Sequence, residues 1–203
     1  MFIIDRGLAR ESPRMDTATD HSAGSFQTEN GGRPQLSFPL FFIDFEASAL
    51  TLESFPIEVG IAIARGVEGT IETWSTLIAP DPQWTLDDQW DPDAERVHGI
   101  RRWDLRHGLS AVEAMAKLNA FVQPNQIVWC DGGHYDAHWL GTLAIAAGIA
   151  PAFRLGDIGT MVRTDVEICD LYNAALASSL PPHRAGPDAR RLCETLVRAL
   201  TRE

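Results

Sequence analysis

Phe38-Pro-Leu-Phe-Phe-Ile-Asp-Phe-Glu46 is where order begins in this chain. The run from Phe38 to Ile43 is continuously apolar and stops at Asp44, which predicts a strand buried on both faces. Side-chain direction along a strand repeats every two residues, so Asp44 and Glu46 point the same way where the strand leaves the sheet. Phe41, Phe42, Ile43 and Phe45 surround them, an expensive setting for two charges. Either the pair reaches water on a loop, or it holds a hard divalent cation, because neighbouring carboxylates repel unless a cation joins them. Two further acids at the same place would favour the cation.

Outward from this stretch, Ile57–Ile63 and Thr70–Ile78 read as second and third strands, joined by a hairpin turn over Arg65–Gly69. Pro80–Arg96 is polar, rich in Pro, Asp and Trp, and is expected to be irregular. Ser110-Ala-Val-Glu113 is a capping box ahead of a helix carrying Val112, Met115, Leu118 and Phe121. Ile127–Cys130 is a fourth strand. His134–Ala147 is a helix closed by Gly148, and Phe153–Ile158 a fifth strand. Asp165–Ser178 is helical and is broken by Pro181-Pro182; Ala185–Leu200 is the last helix. Three strands followed by alternating helices and strands predict an α/β domain, a mixed central β-sheet flanked by helices, over residues 37–203. Residues 1–36, with the polar stretch Met15–Gly32, read as a disordered or variable tail.

The chain has 203 residues and a formal net charge of -11. One domain fits that length. The charge excludes a broad basic surface gripping duplex nucleic acid, but leaves room for a small nucleic-acid substrate held through metal. Cys130, Cys169 and Cys193 are far apart and form no disulfide pattern, so a reducing, cytoplasmic setting is expected. No apolar run is long enough for a membrane span, and Met1–Arg10 makes a poor secretory signal.

The further acids are Asp136 and Asp188. Asp136 follows strand Ile127–Cys130 through the glycine turn Asp131-Gly-Gly133 and is expected in the first helical turn, at the C-terminal end of a strand where open α/β sheets place ligands. Asp188 follows Pro187 at the start of the last helix. His183 lies on the loop entering that helix, free to act as general base on a water beside a carboxylate cluster.

These residues resemble the DEDDh branch of the DnaQ-like 3′-5′ exonucleases. Asp44-Phe-Glu46 resembles the family's Asp-x-Glu motif. Tyr135-Asp136-Ala-His-Trp139-Leu140 resembles its second motif, and His183-Arg-Ala185-Gly-Pro-Asp188-Ala189 its third. His98-Gly99-Ile100 matches a sequence often found between the first two. The resemblance covers about residues 38–200, everything but the tail. It departs at Ala47-Ser48-Ala49, where Thr-Gly is common, and at Asp131-Gly132-Gly133, where His-Asn-Ala is common; in the family these positions touch substrate more than metal.

The resemblance implies a ribonuclease H-like fold and two-metal hydrolysis of phosphodiester bonds at a 3′ end. Water is a poor nucleophile and the phosphoryl and leaving oxygens carry charge, needs that two divalent ions roughly 4 Å apart meet together. Asp44 would bridge the ions. Glu46 and Asp188 would complete the site of the ion that activates water, Asp136 would hold the other, and His183 would take the water's proton. All-oxygen ligands imply two Mg²⁺ or Mn²⁺ ions. The implied partners are single-stranded RNA or DNA 3′ ends, or short oligonucleotides, with RNA slightly favoured, and a homodimer is common among small stand-alone relatives. Phe45, Leu50, His134 and Trp139 are candidates for base stacking, each balanced by an ordinary packing role. Backbone amides of Ala47, Ser48 and Ala49 are candidates for holding the terminal nucleotide, and Arg184 for meeting phosphate.

Other readings compete. His134 and His138, four apart on a predicted helix with Asp131 and Cys130 near, allow a zinc site. Glu58 in a core strand reads first as a hydrogen-bonded buried acid. A small-nucleotide phosphodiesterase and a catalytically silent nucleic-acid-binding module on the same fold are the functional alternatives. Neither a nucleophile elbow nor a glycine-rich phosphate loop is present.

Overall fold

The computed structural model describes residues 37–201; the expected tail over 1–36 lies outside the described residues. Strand β1 is Leu40–Ala47, so it runs past Asp44 and Glu46 rather than ending at Ile43. The physical reason is its antiparallel ladder with β2, Pro56–Ala64, in which Asp44 stands opposite Gly60 and Glu46 opposite Glu58. Backbone pairing continues because the charged groups project away from the ladder; the register slips only between Glu46 and Ala47. β3, Ile71–Leu77, is antiparallel to β2 at one edge, whereas β4, Ile127–Cys130, and β5, Arg154–Asp157, add parallel strands on the other side. The sheet order is β3-β2-β1-β4-β5.

The two-residue period of β1 divides the core. Phe41, Ile43 and Phe45 pack with Met115 and Leu118 of α2, Ala111–Phe121, and with Leu140 and Leu143 of α3, His134–Ala147. Leu40 and Phe42 pack on the opposite face. Their neighbours there come from α4, Ile158–Val162, α5, Val166–Ala177, and α6, Ala185–Thr201. Asp44 and Glu46 continue this second row, so they face α6. The Ser110–Glu113 capping box forms at the start of α2, and Gly148 closes α3 in the left-handed conformation.

The segment expected to be irregular instead contains helix α1, Pro92–His98. Its signals are local: Asp91 caps it by accepting from the Asp93 amide, Pro92 opens it, and Gly99 ends it at φ 69°. A single 3₁₀ helix follows at Arg102–His107. α4 was also not anticipated; Asp157 caps it from the end of β5. Phe55, Ile57, Trp90, Ile100 and Leu105 form a separate small core that fixes α1 beside the end of β1. No helix among the described residues is long and apolar enough to cross a membrane.

Candidate metal centre and adjoining cavity

β1 and β4 are parallel, so their C-terminal ends share one edge of the sheet. Asp44 and Glu46 arrive there on β1. The turn after β4 brings Asp131 and, in the first turn of α3, the buried Asp136. Gly132 leaves room in that turn for the Asp136 carboxylate, which a Cβ there would meet at 2.7 Å and which accepts from the Gly132 amide at 2.9 Å.

α6 arrives from the other side. A Cβ on Gly60 would lie 2.2 Å from the backbone of Ala185, so only glycine in β2 lets the helix start come this close. Glu58 anchors the same start. Its carboxylate accepts from the Ala185 amide at 3.0 Å and from the Arg184 guanidinium at 2.9 and 2.7 Å. The expected role of Glu58 as a hydrogen-bonded buried acid therefore has a definite content: it docks α6. The helix begins at Ala185, ahead of Pro187, which puts Asp188 in its first turn, where its carboxylate accepts from the Arg184 amide at 2.9 Å.

Asp44, Glu46 and Asp188 thus meet, with one carboxylate oxygen from each lying within 4.8 Å of the others. They form the single cluster of metal-ligating side chains among the described residues. Asp131, His183 and Arg191 line the same cleft, a space of about 180 Å³. The electrostatics are those of an uncompensated acid group. Burial, then Asp136, Glu46, Asp131 and Asp188, push the Asp44 carboxyl well above its usual range. Burial and then Asp188 push Glu46 up to about 8, against a lowering by Arg184. Burial raises Asp136 to about 7, eased by the Cys130 thiol beside it, and burial raises Asp188. A hard cation with oxygen ligands is the chemical partner that such a set fits.

An apolar cavity of about 350 Å³ adjoins the cleft and shares Phe45, Glu46 and His183 with it. Ala47, Leu50 and Trp139 line it, as do Val97 and His98 of α1, a wall that depends on the unanticipated helix. Of the expected substrate contacts, Phe45, Ala47, Ala49, Leu50 and Trp139 are brought together here. Trp139 is also bound into the core, its indole N–H donating to Ser54 Oγ at 2.9 Å. The other three lie outside this lining. Ser48 is fully buried; its amide donates to the Phe55 carbonyl and its hydroxyl accepts from the Phe55 amide. His134 is exposed and packs its ring on Tyr135. Arg184 spends its guanidinium on Glu58. The zinc reading gains no cluster: His138 Nε2 is 3.0 Å from the Ser54 carbonyl oxygen, and Cys130 stays buried in β4.

Sequence reasoning marked Asp131 as a departure at a substrate-touching position and did not place Arg191 at the cleft. Asp131 had a usable signal, its position one residue beyond the end of a parallel strand. Arg191 had only its helical distance from Asp188, which marks a neighbouring face and no chemistry.

No family model matches the chain, and no curated protein does. Solved structures do. E. coli exonuclease I in complex with a dA16 oligonucleotide aligns with TM-score 0.62 at 13% identity, covering 81% of this chain and 42% of that one. A full-length 3′-exonuclease aligns with TM-score 0.62 at 14% identity, covering 86% of this chain and 64% of that one. A 3′-exonuclease that recognises the 3′ end of the histone mRNA stem-loop aligns with TM-score 0.59 at 13% identity over 81% of this chain and 64% of that one. The chain therefore spans less than two thirds of the length of these structures. At such identity the likeness establishes the fold alone: a mixed-sheet α/β domain of ribonuclease H-like architecture.

Proposed function

We propose that this chain is a DEDDh-type, divalent-metal-dependent 3′-5′ exonuclease that hydrolyses phosphodiester bonds at the 3′ end of single-stranded or short nucleic acid, with RNA slightly favoured over DNA. The observation that carries this reading is the meeting of Asp44, Glu46 and Asp188 within 4.8 Å, in a cleft that His183 also lines. Asp136 supports it as the strongest neighbouring charge acting on Asp44.

Mg²⁺ or Mn²⁺ would suit the all-oxygen donor set; Asp44, Glu46, Asp188 and Asp136 are the residues that would hold two such ions. When bound, such ions neutralise phosphoryl charge and make water a competent nucleophile. The chain's own residues supply the rest. His183, exposed on its loop with φ 53°, takes the proton of the attacking water on an imidazole nitrogen. Phe45, Leu50 and Trp139 receive the terminal nucleotide in the apolar cavity and exclude water around it. Arg184 orders the loop beside His183 through Glu58. A homodimer and a cytoplasmic setting belong to the same proposal.

The test is incubation of the purified chain with 5′-labelled RNA and DNA of several lengths, under Mg²⁺, Mn²⁺ or EDTA, beside an Asp44→Ala control. The expected result is a ladder shortening from the 3′ end that EDTA and the substitution both abolish, faster on RNA. No cleavage of any strand under either metal would contradict the proposal and move weight to a silent binding module; cleavage of dinucleotides alone would move it to a small-nucleotide phosphodiesterase.

A further inference from the structure

Three cavities adjoin one another through shared lining residues. The apolar cavity shares Phe45, Glu46 and His183 with the acid cleft, and the acid cleft shares Arg191 with a third space, a groove of about 510 Å³ between the end of α5, the length of α6 and Thr73 of β3. The groove's charged lining is Arg190, Arg191 and Arg198 against one carboxylate, Glu194. That is a local excess of cations on a chain whose formal net charge is -11 and whose sole lysine, Lys117, sits on α2 across the sheet.

We infer that this groove carries the phosphates of a single strand on the 5′ side of the bond cut in the acid cleft. The inference rests on the exonuclease reading and adds to it the path of the strand. The apolar cavity cannot be that path. Its charged lining is Asp91, Asp93 and Glu46, with no Lys or Arg, so it suits a terminal nucleoside and repels a run of phosphates. The only cationic exit from the cleft, among the described cavities, passes Arg191. Arg191 is fixed there by donating to the Leu176 and Ser179 carbonyl oxygens at 2.7 and 2.8 Å and to Ser179 Oγ at 2.9 Å, which also holds the end of α5 against α6. Arg190 pairs with Glu194 through Nε alone, leaving its terminal nitrogens to a ligand. Arg198 is exposed and has no ion pair among the described residues. Guanidiniums in a row on one helix are the donors that phosphate oxygens take. The overall negative charge favours short or end-bound substrates; the groove gives a longer strand one place to be held.

The test compares unaltered protein with Arg190→Gln/Arg198→Gln, Arg198→Glu and Lys117→Glu, each checked for an unchanged melting profile. Lys117→Glu makes the same charge change as Arg198→Glu on the far side of the sheet. The first readout is kcat/KM on a twelve-nucleotide strand divided by kcat/KM on a dinucleotide. The expected result is a fall in this ratio of about tenfold in the arginine variants, with a salt dependence of long-strand binding shallower by about 0.7 per arginine removed, and little change in Lys117→Glu. An equal effect on both lengths, or an equal effect of Lys117→Glu, would overturn the inference. The second readout is anisotropy of a labelled twelve-nucleotide strand in EDTA, which needs no cleavage. If the unaltered protein cleaves nothing but binds this strand, and the arginine variants alone lose binding, the groove stands and the exonuclease reading falls. Cleavage of both lengths with no loss in the arginine variants sinks the groove and leaves that reading in place.

Discussion

The two sides of β1 make different use of one strand. Toward α2 and α3 it presents Phe41, Ile43 and Phe45, all buried in an apolar cluster. Toward α6 it presents Leu40 and Phe42, and then, at the same spacing, Asp44 and Glu46. The backbone pairing does not change between these residues. The first side contributes to stability. The end of the second costs stability, since burial raises every acid of the cleft and neighbouring carboxylates raise Asp44 and Glu46 further. A protein keeps such a cost where a ligand repays it, and the contrast therefore marks the site within a single element.

Predictions follow from trying to make the two sides behave alike. Asp44→Asn should reduce cleavage on the order of 10³-fold or more, since metal binding and charge neutralisation are worth several kcal/mol. The metal-free melting temperature should hold or rise, because a charge repelled by Asp136 and Glu46 is gone. Ile43→Ala, one residue earlier, should instead cost about 2–5 kcal/mol of stability with activity per folded molecule retained. If denaturant melts show Asp44→Asn to be as destabilising as Ile43→Ala, the contrast is broken.

Gly60→Ala tests whether the acid side depends on the approach of α6. Its methyl would stand 2.2 Å from Ala185, so the helix must shift; a loss of about 1–3 kcal/mol is expected, with weaker Mn²⁺ binding by calorimetry. The pH dependence sharpens the comparison. Glu46 is raised from 4.5 to about 8 and Asp136 from 3.8 to about 7. Both folded values exceed the unfolded ones, so the folded state holds more protons between them; stability is full below the unfolded values and is lost as pH rises through the folded ones. Melts of metal-free protein should therefore fall from about pH 5 to about pH 8, and Mg²⁺ should reverse the fall most at the alkaline end, as proton competition for the ligands disappears. The smallest effect is expected for Glu58→Gln, about 1–2 kcal/mol, because Arg184 is half exposed and water replaces part of what it loses.

Much of this was legible before the structure. Apolar runs located β1, β2 and β4, because buried strands have a dense local signature, β-branched and aromatic residues located the more exposed β3, and the capping box at Ser110 and Gly148 located bounds of two helices. Asp44, Glu46 and Asp188 were legible as a set through the period of the strand and the start of the last helix. What the sequence did not make legible is of two kinds. α1 lay in a polar segment whose short helix is stabilised by Trp90, Ile100 and Leu105 from outside it, although its cap, proline and closing glycine were there to read. Arg184 was assigned to phosphate by its nearness to His183; its pairing with Glu58, 126 residues away in the chain, is a tertiary fact with no local trace. Ser48 and His134 lie outside the cavity lining for a similar reason, since spacing at a strand end or a helix start does not say which side chains turn inward.

The most direct measurement is calorimetric titration of the metal-free protein with Mn²⁺ at about pH 8, in buffers of different ionisation enthalpy. The account predicts saturable binding with net proton release, because raised carboxyls must ionise to become ligands, and loss of that binding in Asp44→Asn. Absence of saturable binding up to millimolar Mn²⁺, or binding that Asp44→Asn leaves intact, would contradict it.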